Sequence, residues 1–409
     1  MSSLGGIINN IDSIINGVQN SMSLEVNGIT YDGFTSASAS KSMIDICGAY
    51  SFNISVFNDL EKFPIKLRSE CRVLVNGQPF ITGYVEAINV DYSSNEHQIA
   101  ISGRDKTCDI VDNTIGNDLT FSAGISLQNI IKKTLKSFGL DNSITVSSTV
   151  DLDVFDSTEL GNISSQIGET AFDFIEKYAK KRQVLIMSDG DGNIVLTRVT
   201  GNEHKLNTVL TSSLNYQSTI LNASITYDDT KRFHKYILSA QKNVMSGIVE
   251  DVSAVDNKTI VSMSAIAYDK DIRPTRIYNL LQHDDSYNSQ SDLQERAQWE
   301  SNHRMASGFK YSAVVQGFSP INDPQLIWQP NMLVIVNDEY CNIPGQLLLI
   351  KSVSFKYDVS GGSTTTLELI DKDGYSVDVL QGVRYKNKRK SATGKDVSVI
   401  SDLTPYQGK

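Results

Sequence analysis

The residues with chemical reach are few and scattered. The five histidines, His97, His204, His234, His283 and His303, form neither HExxH nor HxH, so no helix face or strand offers paired imidazoles to a metal. Asp189, Asp191 and Asn193 imitate the opening of a calcium loop, where alternate oxygen ligands ring the cation. Ile194 stands where that loop needs Gly, however, and Thr200 where it needs its closing Glu, so a tight hairpin turn is expected instead. Gly190 and Gly192 lack a third glycine and lead into a strand, which excludes a dinucleotide cradle; GxSxG elbows and Walker loops are absent from the sequence. Asp151 with Asp153, and Asp284 with Asp285, are the carboxylate pairs that could serve glycoside hydrolysis, but they lie in polar segments and read as solvated turns. Trp299 and Trp328 read as a helix anchor and a barrel-edge anchor. The cysteines Cys47, Cys71, Cys108 and Cys341 form no CxxC pair and read as small buried hydrophobes, neither zinc ligands nor a disulfide framework. The expectation is no catalytic, cofactor or metal site.

Composition narrows the class further. At 409 residues the chain exceeds the roughly 100–200 residues of one domain, so three or four packed units are expected. Apolar residues at 40% and charged residues at 21% fit a folded soluble protein. The formal charge of −10 disfavours non-specific nucleic-acid binding, which depends on Lys and Arg replacing counterions. Against that balance, Arg384 to Lys390 is strongly basic, with Lys386, Lys388, Arg389 and Lys390 as its cations; it is either a solvated tail or a docking arm for an acidic partner. No run approaches the roughly 18 apolar residues of a membrane span, and no basic region followed by an apolar run opens the chain. Assembly in a reducing cytoplasm is expected.

The elements follow from periodicity. Residues 4–18 place Ile7, Ile11, Ile14, Ile15 and Val18 on one helical stripe, to be covered by the chain's own fold or by a neighbouring subunit. From Ser23 the period drops to two, with Leu24 and Val26, Phe52 and Ile54, Val73 and Val75, and Ile99 and Ile101 in strands that turn at Asn27-Gly28 and Asn76-Gly77. Ser126 caps a predicted helix carrying Leu127, Ile130, Ile131, Leu135 and Phe138, which Gly139 ends; a second helix spans 169–182 and leads into a hairpin about 189–193. Strands return after Ser218, a third helix is predicted from Asp292 to Ala306, and strands around 312–316, 333–336, 346–356 and 364–370 follow.

Two stretches echo each other. Val73-Leu-Val-Asn-Gly, Ile81-Thr-Gly83, Tyr92, Ile99-Ala-Ile101 and Asp105 recur in order as Val334-Ile-Val-Asn-Asp, Ile343-Pro-Gly345, Tyr357, Leu367-Glu-Leu369 and Asp373. One hairpin, one corner and one long strand in the same order is how a duplicated barrel reads. The expected fold is mainly β with α+β insertions: two small antiparallel β-barrel, tube-like domains plus two smaller α+β domains.

Two blocks carry a resemblance to Mu-like myophage baseplate hub proteins. Residues 168–198, GETAFDFIEKYAKKRQVLIMSDGDGNIVLTR, resemble that family's helix running into an SDGxGNLVLTR hairpin, and 297–375, with AQWESNHRMASGFKYSAVVQGF, IWQPNMLVIVND, IPGQLLLIKSVSFKYD and STTTLELIDKDGY, resemble its C-terminal block. Phe318 departs from the pattern, where Trp is commoner. The resemblance implies a first barrel at 23–110, an α+β unit at 111–212, a second barrel from 213–242 and 309–383, and an inserted domain at 243–308; the helical extension at 1–22 and the basic tail at 384–409 lie outside the shared core. It also implies a contractile-tail homotrimer in the virion that connects the sixfold tail tube to the threefold spike and lines the genome channel without specific nucleic-acid binding. The implied partners are the membrane-piercing spike, tube or tube-adaptor proteins and baseplate wedge proteins. Ile7, Ile11, Ile15, Lys386, Lys388, Arg389 and Lys390 are the candidate docking residues. A tail-associated peptidoglycan hydrolase and a glycan-binding tail-tip module are the alternatives.

Overall fold

The computed structural model describes residues 20–55, 64–93, 97–116, 119–122, 124–150, 154–155, 163–181, 184–199, 205–213, 218–244, 259–282 and 290–372. The expected helix at 4–18 with Ile7, Ile11 and Ile15, the cations Lys386, Lys388, Arg389 and Lys390, and Asp151, Asp153, Asp284, Asp285 and Asp373 lie outside the described residues.

Among the described residues, the first half of the repeat is a run of seven strands: β1 (Met22–Val26), β2 (Ile29–Tyr31), β3 (Ser36–Ser42), β4 (Ala49–Ser55), β5 (Glu70–Val75), β6 (Gln78–Tyr92) and β7 (His97–Asp105). Two of its turns are set by Asn-Gly pairs in left-handed backbone, Asn27-Gly28 (φ 52° and 77°) and Asn76-Gly77 (φ 51° and 75°), the geometry that lets two residues reverse twisted strands. A middle unit follows, with α1 (Cys108–Asp112), β8 (Thr120–Phe121), β9 (Ile125–Ser126), α2 (Leu127–Ser137), β10 (Val146–Ser148), β11 (Val154–Phe155), β12 (Ile163–Ser164), α3 (Ala171–Lys181), β13 (Leu185–Ser188) and β14 (Ile194–Thr197). Ser126 caps α2 by accepting from the Asn129 N–H at 3.3 Å, and Gly139 (φ 72°) ends it. The apolar stripes of α2 and α3 share one core with the β10–β14–β13 sheet.

The second half comprises β15 (Lys205–Ser212), β16 (Ile220–Tyr227), β17 (Lys235–Val244), β18 (Thr259–Tyr268), β19 (Ile277–Gln282), α4 (Gln290–Ser307), β20 (Phe309–Gln316), β21 (Leu333–Asp338), β22 (Ile343–Asp358) and β23 (Gly362–Asp371). Among the described residues, thirteen strands from both halves form one sheet in the order β16-β20-β23-β22-β3-β4-β7-β6-β5-β1-β2, with β21 on β22 and β15 on β21. None of the described helices is long and apolar enough to cross a membrane.

The strand pairing departs from the expected boundaries at two places. β15, expected to end the middle unit, pairs in parallel with β21 and buries Leu206 and Leu210 in the large core. β17, of which 235–242 were expected in the second barrel, pairs instead with β18 and β19, because Tyr236 and Leu238 find Leu293 and Ala297 of α4 as their core. The pairings among described strands also leave both halves open, since the second edge of β3 is taken by β22 from the other half instead of by a strand of its own.

Five strands of each half repeat each other, whereas β5 takes β1 antiparallel and its counterpart β21 takes β15 parallel. β3-β4-β7-β6-β5 in the first has the spatial and chain order of β16-β20-β23-β22-β21 in the second. Register makes the match residue-specific: Tyr50 opposes Gly103 as Tyr311 opposes Leu369, and β6 steps over Glu86 against β7 as β22 steps over Lys351 against β23. Ahead of β5, Arg68 (φ 68°) donates its N–H to Val85; ahead of β21, Asn331 (φ 67°) donates to Ile350. A shared one-residue bulge and a shared left-handed residue are marks of one ancestral unit. Register corrects the sequence echo: Gly83 opposes Cys71 as Leu348 opposes Val334, so Gly345 is not its counterpart, and Asp105 corresponds to Asp371, each opposite the matched residue of the long strand.

Candidate functional site: the joint between the halves

Three features meet where the halves join. The first is the seam, built on β3, whose sequence SASASKS puts Ala37, Ala39 and Lys41 inward and serines outward. Small inward residues leave room for the bulky row on β22, so Lys41 opposes Val353, Ala39 opposes Phe355 and Ala37 opposes Tyr357. Phe355 then meets Phe80 of the first half at 4.8 Å between ring centroids and Phe318 of the second at 5.3 Å. One hydrophobic core therefore runs through both halves. Phe318, where the family pattern favours Trp, is wholly buried in that core.

The second feature is the docked hairpin between β13 and β14. Asp189 folds the turn upon itself, its Oδ1 accepting from the N–H groups of Asp191 (2.9 Å) and Asn193 (2.8 Å). These bonds hold the segment as a tight hairpin turn. Its tip presses on the first half: Thr82 donates to the Gly190 carbonyl at 2.8 Å, and Arg72 pairs with Asp191 at 2.9 Å. A Cβ on Gly190 would lie 2.1 Å from the Pro79 carbonyl oxygen, and one on Gly192 2.8 Å from that of Thr82, so the glycines serve close approach.

The third feature is a buried ion pair beneath that tip. Lys41 reaches from the seam to donate to the carbonyls of Ser188 (3.2 Å) and Asp189 (2.6 Å) and lies 3.7 Å from Asp105, which ends β7 and also accepts from the N–H and hydroxyl of Thr107. Burial pushes the Lys41 ammonium down and the Asp105 carboxyl up, and each charge partly offsets the other's shift. One cation thus ties β3, β7 and the middle unit together. Asp105 entered the sequence reading only as a marker of the repeat, and Lys41 was not singled out; its signal was a lysine in the inward phase of an alternating Ser-Ala strand.

Matching tyrosines brace each half. Tyr50 lies 2.8 Å from the Cys71 sulfur and donates to the Tyr84 carbonyl, and Tyr311 donates to Asp338 at 2.6 Å. Burial is the main force raising the Cys71 thiol to about 11. The four cysteines are unbridged, and two of them are buried.

No group of three His, Cys, Asp or Glu suited to a metal exists among the described residues. His234 meets the carbonyls of Asp269 and Ile272, and His303 stacks on Trp299 at 4.7 Å, so the two imidazoles serve separate structural roles. Trp328 is buried in the large core. His204 and His283 lie outside the described residues.

Three protein-family models match the chain: the N-terminal domain of Mu phage baseplate assembly protein GpP-like proteins over residues 21–105, the second domain of baseplate hub protein gp44-like proteins over 107–198, and the fourth domain of Mu phage baseplate assembly protein GpP over 289–378. Baseplate hub protein gp44 of Escherichia phage Mu is 24% identical over 379 residues, covering 93% of this chain and 93% of that protein. The 43 kDa tail protein of prophage MuSo2 from Shewanella oneidensis is similar in structure, with a TM-score of 0.70 and 23% identity over 87% of this chain and 99% of that one. The tail protein from Neisseria meningitidis superposes with a TM-score of 0.71 at 18% identity, over 86% of this chain and 96% of its own. These two likenesses establish a shared fold.

Proposed function

We propose that this chain, which belongs to the Mu-like phage baseplate hub proteins, is a structural subunit of the tail baseplate whose three copies form a ring between the sixfold tail tube and the threefold spike. The observation that carries the reading is the five-strand repeat: two similar halves per chain let three chains offer six similar surfaces to a sixfold tube and three to a spike. Each half is read as a tube-like barrel domain that is opened where it joins a neighbour. The protein is a virion component and not an enzyme in this reading, and its partners are the membrane-piercing spike, the tube or a tube adaptor, and wedge proteins.

The outward face of the sheet supports a channel lining. Registered rows cross the seam as Asn222, Val314, Thr366, Ser354 and Ser40, and as Gln316, Thr364, Lys356, Ser38, Ser51 and Ser102. Short hydroxyl side chains with few cations give a polyanion no fixed countercharge, so DNA would slide past instead of adhering. The test is light scattering of the purified full chain, expected at about three times 45.1 kDa, together with co-purification of the co-encoded spike. A stable monomer that retains neither spike nor tube protein would sink the reading.

A further inference from the structure

We infer that β16 of one copy pairs antiparallel with the distal part of β6 of the next copy, in the register that β3 and β22 adopt within the chain. The inference rests on the ring reading above and specifies which edges close it. β3 and β16 occupy equivalent places in the repeat, as do β22 and β6. Inside the chain β3 uses both edges, one for β4 and one for the distal part of β22. Its counterpart β16 ends the sheet, bonded to β20 alone among the described strands; past Val85, no described strand runs along the second edge of β6. The chain thus holds one completed joint and the two separate halves of a second.

The same register brings a second set of side chains face to face. Val353 opposite Lys41 becomes Ile88 opposite Tyr227; Phe355 opposite Ala39 becomes Val90 opposite Ile225; Tyr357 opposite Ala37 becomes Tyr92 opposite Ala223. Every inward position of the new joint is then apolar on both strands. The intervening positions, Asn89 with Thr226 and Asp91 with Ser224, are polar and extend the hydroxyl rows. A slip of one residue would set the apolar row against the polar one.

Exposure agrees. In the joint within the chain, Val353, Phe355, Ala37 and Ala39 are 0–3% exposed, whereas Val90 is 38%, Tyr227 66% and Tyr92 80% exposed. Sheet edges left to solvent are ordinarily blunted by Lys, Pro or a bulge; β16, ILNASITY, has no Lys or Pro, and its one bulge, at Leu221, precedes the stretch Ala223 to Tyr227 that enters the joint. A head-to-tail contact of this kind, made between unlike edges, closes into a ring or runs on as a filament, and a second copy is the occupant because the chain already shows how the two strand types fit.

The experiment uses the full chain with Val90→Cys and Ile225→Cys, and separately Asp91→Cys and Ser224→Cys, so that one of the two sets falls on the closely spaced pair of the antiparallel ladder. Oxidation should link copies covalently up to the full ring on a non-reducing gel, reversibly with reductant. Mixed single variants should give linked dimers only, and the off-register set Val90→Cys with Tyr227→Cys should stay unlinked. Ile225→Lys should weaken self-association by about tenfold or more by burying a charge in the joint. If Ile225→Lys fails to fold, the cysteine sets still decide. Chains that assemble at full mass yet link no better than the off-register control would overturn this joint while leaving the ring reading standing. A monomeric wild-type chain would remove both.

Discussion

Among single residues, Lys41 carries the most weight, because removing one member of a buried ion pair strands the other charge. Lys41→Met should cost about 3 kcal/mol, and adding Asp105→Asn should recover part of that loss, since no bare carboxylate is then left buried. Urea unfolding of the four species measures the coupling; strictly additive losses would show that the two groups do not act as a pair. Asp338 offers a pH-dependent counterpart. Burial alone would raise its carboxyl, but the Tyr311 hydroxyl and the N–H groups of Cys341 and Tyr340 outweigh burial and hold it below the usual carboxylate range. A group depressed in the folded state contributes stability above its unfolded value, near about 4, and loses that contribution as pH falls through the folded value. Asp338→Asn should therefore cost about 1–2 kcal/mol at neutral pH and progressively less below about pH 4. A gap between variant and wild type that stays constant from pH 7 to pH 3 would contradict this assignment.

For the elements, the hairpin between β13 and β14 is held by approach distance. Gly190→Ala must displace backbone, because its Cβ would meet the Pro79 carbonyl at 2.1 Å, whereas Gly77→Ala has open space and pays only for its φ of 75°. The expected losses are about 2 kcal/mol or more at Gly190 and about 1 kcal/mol at Gly77, read from urea midpoints. Much at this scale was legible in the sequence: the Asn-Gly turns, the Ser126 cap, the stripes of α2 and α3, and the order of the repeated strands all follow from local chemistry. The remainder depends on partners distant in the chain. β15 finds β21 more than a hundred residues away, and β17 is drawn out of the large sheet by α4, so neither allegiance leaves a local trace. The echo misaligns at the Ile-x-Gly corner because it already matches Val73 instead of Cys71 to Val334 and because the turn between β21 and β22 is longer than that between β5 and β6; only hydrogen-bond register exposes the offset. Lys41 was missed because a lone lysine among serines reads as a solvated one until its strand phase is known.

For the whole molecule, the hydroxyl rows make the channel reading testable. Ser38→Lys with Ser354→Lys adds two cations per chain on neighbouring strands of the outward face, away from the core. Particles carrying both should assemble normally but release their genome more slowly, with the delay shrinking as salt rises, because added cations give the DNA counterion-releasing anchors. Release at the wild-type rate would place that face elsewhere than on the channel. The lodging of β17–β19 and α4 between β16 and β20 has a different consequence. The corresponding connection in the first half, from β3 to β4, carries no such unit. Fusing two copies of a strand unit into one polypeptide thus creates two addresses where a simple repeat has one: a ligand reading only the sheet counts both halves alike, while one reading the inserted unit counts every second half. Stoichiometry around the assembly is in that sense written into where a single loop was allowed to grow.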